Sequence, residues 1–210
     1  MTSRNRFIIV FEVFALLALA CSGSAARVEK ATQPVEQKST SAPRTTLVAG
    51  QPLKLPLANP HIEVSKGKRE LRLYDGTTLL RTYHVGLGFS PVEDKVREGD
   101  GRTPEGEYYV CVKNANSKFY LSLGISYPNI EDANRGLRDE LITKRQHDQI
   151  ADAIAAGKRP PWDTKLGGEI FIHGNGSSND WTWGCVAVED AEIKELFNAV
   201  PMGTRVRIVH

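Results

Sequence analysis

Gly168-Glu169-Ile170-Phe171-Ile172-His173-Gly174, then Asn175 to Asp180, then Trp181-Thr182-Trp183-Gly184-Cys185-Val186-Ala187-Val188 is the stretch on which the reading of this chain turns. Its first part alternates with period two, so Ile170 and Ile172 share one face of a strand and Phe171 and His173 the other. The polar run from Asn175 to Asp180 is a loop, and Cys185 stands where that loop returns to an apolar segment. A histidine at a strand end and a cysteine at a loop end can meet. A thiol of ordinary pKa, about 8.5, gains thiolate beside a histidinium, and the thiolate is the attacking form. The small residues around Cys185 allow the backbone N–H groups of Trp183, Gly184 and Cys185 to converge on a carbonyl oxygen that acquires negative charge. Such a pair needs a third group to fix the imidazole tautomer, and the candidates are the carbonyl of Gly174 and the carboxylate of Asp180. A histidine held in a core and a cysteine used as an apolar filler remain open readings on spacing alone.

Outward from this stretch, the pattern is mainly β. Ile62 and Val64 alternate, and Leu71, Leu73 and Leu79 flank the turn dipeptide Asp75-Gly76. Strands are expected again at Glu107 to Lys113, Phe119 to Ser122 and Thr204 to Val209. The glycine-rich segment from Gly86 to Gly106 is long for a connection and reads as a functional loop. Thr143 and Gln146 form a capping box for a helical insert that Gly157, Pro160 and Pro161 end. A second helix follows the cysteine, with Asp190 as cap and Ile193, Leu196, Phe197 and Val200 on one face. Strands with two local helices point to a mainly β, sandwich-like domain over residues 61–210.

The beginning of the chain reads differently. Arg4 and Arg6 precede an apolar run from Phe7 to Ala20 and small residues from Ser22 to Ala26, the organisation of an export signal over residues 1–26. Glu12 interrupts a run already short for a membrane span. Leu17-Ala18-Leu19-Ala20-Cys21 is similar to a lipobox, so lipidation at Cys21 and ordinary cleavage near Ala25 or Ala26 are both open, the former giving membrane attachment through the N-terminus. Residues 27–60, rich in Ser, Thr, Gln, Lys and Pro, read as a flexible tether spanning about 30 Å.

Composition removes several classes of function. A net charge of +2, with bases scattered among acids, offers no stripe for a nucleic-acid backbone. His61, His84, His147 and His210 have no ligand spacing, and neither His173 nor Cys185 has a CxxC or HxxxH companion, so no metal or cofactor is implied. Cys111, in Tyr108-Tyr109-Val110-Cys111-Val112, reads as a packed strand thiol; a reversible disulfide with Cys185 would make a redox protein instead.

The run Ile172-His173-Gly174 with Asp180-Trp181-Thr182-Trp183-Gly184-Cys185-Val186-Ala187-Val188 resembles the YkuD-type L,D-transpeptidase domain. Asp100-Gly101-Arg102-Thr103-Pro104-Glu105-Gly106-Glu107-Tyr108 and Phe119-Tyr120-Leu121-Ser122-Leu123-Gly124 resemble the same family. Its pattern is a histidine, a loop, then Ser/Thr-His-Gly-Cys, an apolar residue and Asn or Arg. His173, Thr182, Gly184, Cys185 and Val186 match, whereas Trp183 replaces the second histidine and Ala187 the Asn or Arg. The sequence looks closer to the Asp-Trp-Thr-x-Gly-Cys branch, which includes enzymes that cut envelope proteins off peptidoglycan.

The resemblance implies Cys185 as nucleophile and His173 as proton carrier in acyl transfer on peptidoglycan peptide stems, in the periplasm or cell envelope. It implies cross-linking or remodelling of the wall, and so cell-wall biogenesis and cell shape, with an envelope protein as another acceptor or substrate. Arg102, Tyr120, Asp180 and Trp181 are expected to contact the stem, because they lie in or near the loops beside the two catalytic segments. Hydrolysis of stem or stem-protein bonds, and a non-catalytic wall-binding lipoprotein, are the alternatives.

Overall fold

The computed structural model describes residues 51–210. The expected export signal, Cys21 and most of the tether lie outside these residues. Strands β1 (Pro60–Ser65), β2 (Glu70–Asp75) and β3 (Thr78–His84) form an antiparallel meander, with Gly76 at φ 58° in the tight turn between β2 and β3. Left-handed backbone there suits glycine, which has no Cβ to clash. After a long loop come β4 (Gly106–Ser117), β5 (Tyr120–Ile125), α1 (Ile130–Arg138) and α2 (Lys144–Ala155). The chain ends with β6 (Phe171–His173), β7 (Val186–Ala187), α3 (Asp190–Ala199) and β8 (Arg205–Val209).

The strands follow the order β3-β2-β1-β8-β4-β5-β6-β7. Strand β4 carries the sheet from one half to the other. Gly106 to Tyr109 pair with β8, and from Val110 onward, through two register shifts, the strand pairs with β5. Such irregularities bend a strand and increase its twist, which lets a single sheet close over its own core. Ile62, Leu71, Val110, Leu123, Ile172, Val206 and the α3 residues Ile193 and Leu196 all belong to one buried apolar cluster. The domain is mainly β, as the period-two segments predict.

Three features differ from the sequence expectations. Helix α1 was not anticipated; Asn129 caps it by accepting the N–H groups of Glu131 and Asp132 at 2.8 and 3.0 Å. Asp190 does not cap α3 but begins it. Its carboxylate instead accepts the N–H of Asn175 at 2.9 Å, tying the helix to the loop beyond His173. Finally, the tether does not run free to Pro60: Leu53 and Leu57 pack against the main core, and the N–H of Asn59 donates to Asp75 at 2.6 Å.

Candidate active site

His173 ends β6, where the alternation turns Ile172 into the core and Phe171 and His173 toward a cavity of about 600 Å³. The imidazole is 2% exposed, and its Nδ1 lies 2.7 Å from the carbonyl oxygen of Gly174. A carbonyl can only accept, so Nδ1 carries the proton and Nε2 keeps a lone pair. The ring stacks on Phe119 at 4.6 Å and meets the edge of Trp181 at 5.6 Å. Trp181 is itself fixed by its Nε1–H donating to Gly176 O at 3.1 Å. Burial lowers the His173 pKa against the opposing pull of the Gly174 hydrogen bond, so the neutral imidazole is favoured.

Cys185 is carried by the turn from Trp181 to Gly184. The Thr182 hydroxyl donates to Cys185 O at 2.8 Å and accepts the N–H of Gly184 at 3.1 Å, closing the turn on itself. Gly184 adopts φ +128°, and a Cβ there would stand 2.6 Å from the Arg102 carbonyl, so both conformation and space require glycine. The turn is stitched to the 85–105 loop: Thr182 N–H donates to Leu87 O at 3.1 Å and Phe89 N–H to Thr182 O at 3.0 Å. Cys185 Sγ accepts the Phe171 N–H at 3.4 Å, and its S–H points to Glu169 O at 3.6 Å. It forms no hydrogen bond to His173 among the described residues, although both side chains line the same cavity. Burial pushes the thiol up to about 11, with the Phe171 N–H and then the Lys95 ammonium pulling the other way. Lys95 lines a second, smaller cavity with Cys185, Glu98, Glu169 and Trp183.

The other predicted residues separate into those at the cavity and those elsewhere. Trp181 lines it, but as a wall for the imidazole. Trp183 lines it too, its indole 69% exposed and edge-on to Phe89 at 4.9 Å. Of the three expected oxyanion donors, Gly184 is excluded by its bond to Thr182. The N–H groups of Trp183 and Cys185 have no protein acceptor among the described residues. Asp180 does not orient His173 and does not reach the cavity: its carboxylate takes Arg69 at 2.8 Å and the Leu87 N–H at 2.9 Å. Arg102 is also elsewhere, its guanidinium paired with Glu93 beside a separate cleft of Ser90, Pro91 and Val92. Tyr120 is exposed at the start of β5 and outside the cavity lining. Cys111 is a buried, free thiol in β4, and Cys185 is free as well.

Residues that the sequence reading left unassigned complete the lining: Asn114, Ser117, Lys118, Phe119, Ser122, Glu169 and Phe171. Period two puts Glu169 and Phe171 on the parity of His173 and was the available local signal. Asn114 and Ser122 arrive through strand pairing, and Lys118 and Phe119 through the turn between β4 and β5, which that pattern does not report.

Comparisons place this geometry among known proteins. The profile of the L,D-transpeptidase catalytic domain, YkuD, matches residues 59–208. No curated protein sequence matches the chain. Solved structures similar to it include a single-residue variant of the helical cell shape determining protein Pgp2 from Campylobacter jejuni, at 22% identity and TM-score 0.51, covering 71% of this chain and 46% of that one. An L,D-transpeptidase from Xylanimonas cellulosilytica matches at 17% identity and TM-score 0.43, covering 76% and 64%. One from Mycobacterium smegmatis matches at 8% identity and TM-score 0.43, covering 73% and 59%. This chain therefore spans 46–64% of the length of these solved chains. The profile match runs from the strand before β2 almost to the end of β8 and takes in both His173 and Cys185, so the chain belongs to the L,D-transpeptidase catalytic domain family.

Proposed function

We propose that this chain is a cysteine acyltransferase acting on the peptide stems of peptidoglycan, with Cys185 as nucleophile and His173 as proton carrier. The observation that carries the reading is the imidazole: Gly174 holds its Nδ1–H, which leaves Nε2 as an acceptor in the cavity that Cys185 also lines. In the proposed cycle the thiol proton passes to Nε2 as Sγ attacks the carbonyl at the L-centre of the stem's diamino acid. The Sγ–C bond forms, the C–N bond breaks, and the proton goes from the imidazolium to the departing D-alanine amine. An arriving amine then gives its proton to Nε2, attacks the thioester carbonyl, and returns Sγ to the thiol. Water in place of the amine gives hydrolysis. The Trp183 and Cys185 N–H groups are the donors available to the oxyanion, each worth about 3–4 kcal/mol when well placed. The donor peptide bond supplies the free energy, so no nucleotide is needed outside the cytoplasm.

The setting belongs to the same proposal: export by the signal at the start of the chain, attachment through Cys21 or release after cleavage, and an envelope protein as a further acceptor or substrate. The name of the Campylobacter protein, which speaks of cell shape, is consistent with wall remodelling.

The test is mass spectrometry of purified muropeptides incubated with the protein. Release of D-alanine with new cross-links is transfer, and release with trimmed stems is hydrolysis. Both are expected to vanish in Cys185→Ala and His173→Ala variants that remain folded. Undiminished product from Cys185→Ala rejects the assignment.

A further inference from the structure

The lining of the cavity shared by His173 and Cys185 carries an ordered set of polar side chains. On the imidazole side, register puts three polar residues in a row across the sheet: His173 on β6 pairs with Ser122 on β5, and Ser122 with Asn114 on β4. Ser122 is 3% exposed. Asn114 Oδ1 accepts the Asn116 N–H at 2.9 Å, which fixes the carboxamide with its donor-only Nδ2 free of that bond. The row leads to the hairpin tip between β4 and β5, where Lys118 stands with Nζ 5.7 Å from the Phe119 ring, the same ring that stacks on His173. Lys118 is the one lysine or arginine of this lining, and it forms no ion pair among the described residues. On the thiol side Glu169 lines both this cavity and the smaller one, which Lys95 and Trp183 also line.

Chemistry assigns an occupant to the imidazole side. One imidazole must both give a proton to the departing nitrogen and take one from the arriving nitrogen, so the two nitrogens occupy the same place in turn. The departing group, D-alanine, is an amino acid whose carboxylate is two bonds from that nitrogen. We propose that Lys118, with the Ser122 hydroxyl and the Asn114 carboxamide, binds the carboxylate of the amino acid that leaves and of the amino acid that enters. This rests on the acyl-transfer reading above and adds a preference to it: an amino acid with a free carboxylate is favoured as acceptor over the same amine with its carboxylate amidated.

The experiment uses a tetrapeptide muropeptide as donor and D-methionine or D-methioninamide as acceptor, with kcat/KM measured for each. The ratio of acid to amide is compared between native protein, Lys118→Met and Lys118→Arg, so that the different basicity of the two amines cancels. The ratio is expected to fall about threefold in Lys118→Met, the size of one ion pair to an exposed lysine, and to be retained in Lys118→Arg. An unchanged ratio in Lys118→Met, with the native protein active, overturns this assignment and leaves the acyl-transfer reading standing. A native protein that neither releases D-alanine nor uses either acceptor overturns both.

Discussion

At Cys185 and His173 the burial of both groups acts in the same direction, toward a neutral thiol beside a neutral imidazole. The thiol is raised to about 11 and the imidazole lowered, so the thiolate–imidazolium pair is not the resting form. At pH 7 a thiol of that pKa is ionised in about one molecule in ten thousand. The rate of alkylation of Cys185 by iodoacetamide is therefore expected to climb about tenfold per pH unit through the neutral range, with no plateau on the acid side. Intact-protein mass spectrometry against time measures it, and a plateau extending below neutrality would show a preformed ion pair. Gly184 gives a second expectation at this scale. Alanine there must hold φ +128° with its Cβ against the Arg102 carbonyl, so Gly184→Ala should cost about 1–3 kcal/mol of stability and most of the activity, as the turn bearing Cys185 shifts. A melting curve and turnover rate equal to those of the native protein would show that the turn accommodates the methyl group.

The loop from residue 85 to 105 acts as an element without regular structure; Val85 and Leu87 anchor its start in the core, and buried ion pairs hold the rest. Lys95 and Asp100 pair at 2.8 Å with side chains 3% and 6% exposed, and Asp100 also accepts the N–H groups of Val96, Arg97 and Arg102. Lys66, 1% exposed, reaches Glu93 O, Thr103 O and Glu105 within 2.9 Å. Removing one member of a buried pair leaves the other uncompensated, which costs about 3–5 kcal/mol, whereas removing both costs less. Asp100→Ala should thus unfold at clearly lower urea than the double variant Lys95→Met with Asp100→Leu. Equal midpoints would mean that the lost acceptors of the Val96, Arg97 and Arg102 N–H groups, common to both variants, outweigh the ion pair. These pairings explain what the sequence disclosed. The Asp75-Gly76 hairpin and the Thr143–Gln146 capping box are legible because each is a local agreement between neighbours. Helix α1 is not, since its buried residues are Asp132, Ala133 and Gly136, with no apolar period to read. The proposed pair of His173 and Cys185 is legible from its motif, while Ser122 and Asn114 join it only through the register of three strands and Lys118 through the turn between β4 and β5. Asp180 precedes the Cys185 turn in sequence and Arg102 lies in the loop against it, but their charges are paired with Arg69 and Glu93, which motif spacing does not report.

For the whole molecule, the extent of the fold follows from what covers the core. The pattern of the sequence alone places the start of the domain at residue 61, yet Leu53 and Leu57 pack on the main cluster, and the Ala58 and Asn59 N–H groups donate to Asp75 at 3.2 and 2.6 Å. The guanidinium of Arg81, paired with Glu195 at 2.9 Å, also binds the carbonyl of Gln51, so Arg81 on β3 holds both α3 and this segment. Both leucines are only partly buried, and a fully buried leucine contributes about 1.5–3 kcal/mol, so the two together should contribute about that of one. A chain beginning at Gln51 is therefore expected to melt with the full-length protein and to keep the proposed acyl-transfer activity, because the core and the segments bearing His173 and Cys185 are complete in it. A chain beginning at Asn59 should melt several degrees lower, about 2–8 °C for a domain of this size, while retaining the catalytic pair. Calorimetry on the two shortened chains separates the possibilities. If the Gln51 chain melts as low as the Asn59 chain, residues 51–58 are not part of the fold. If it melts well below the full-length protein, residues before Gln51 contribute to the stability of the domain and the tether ends earlier still.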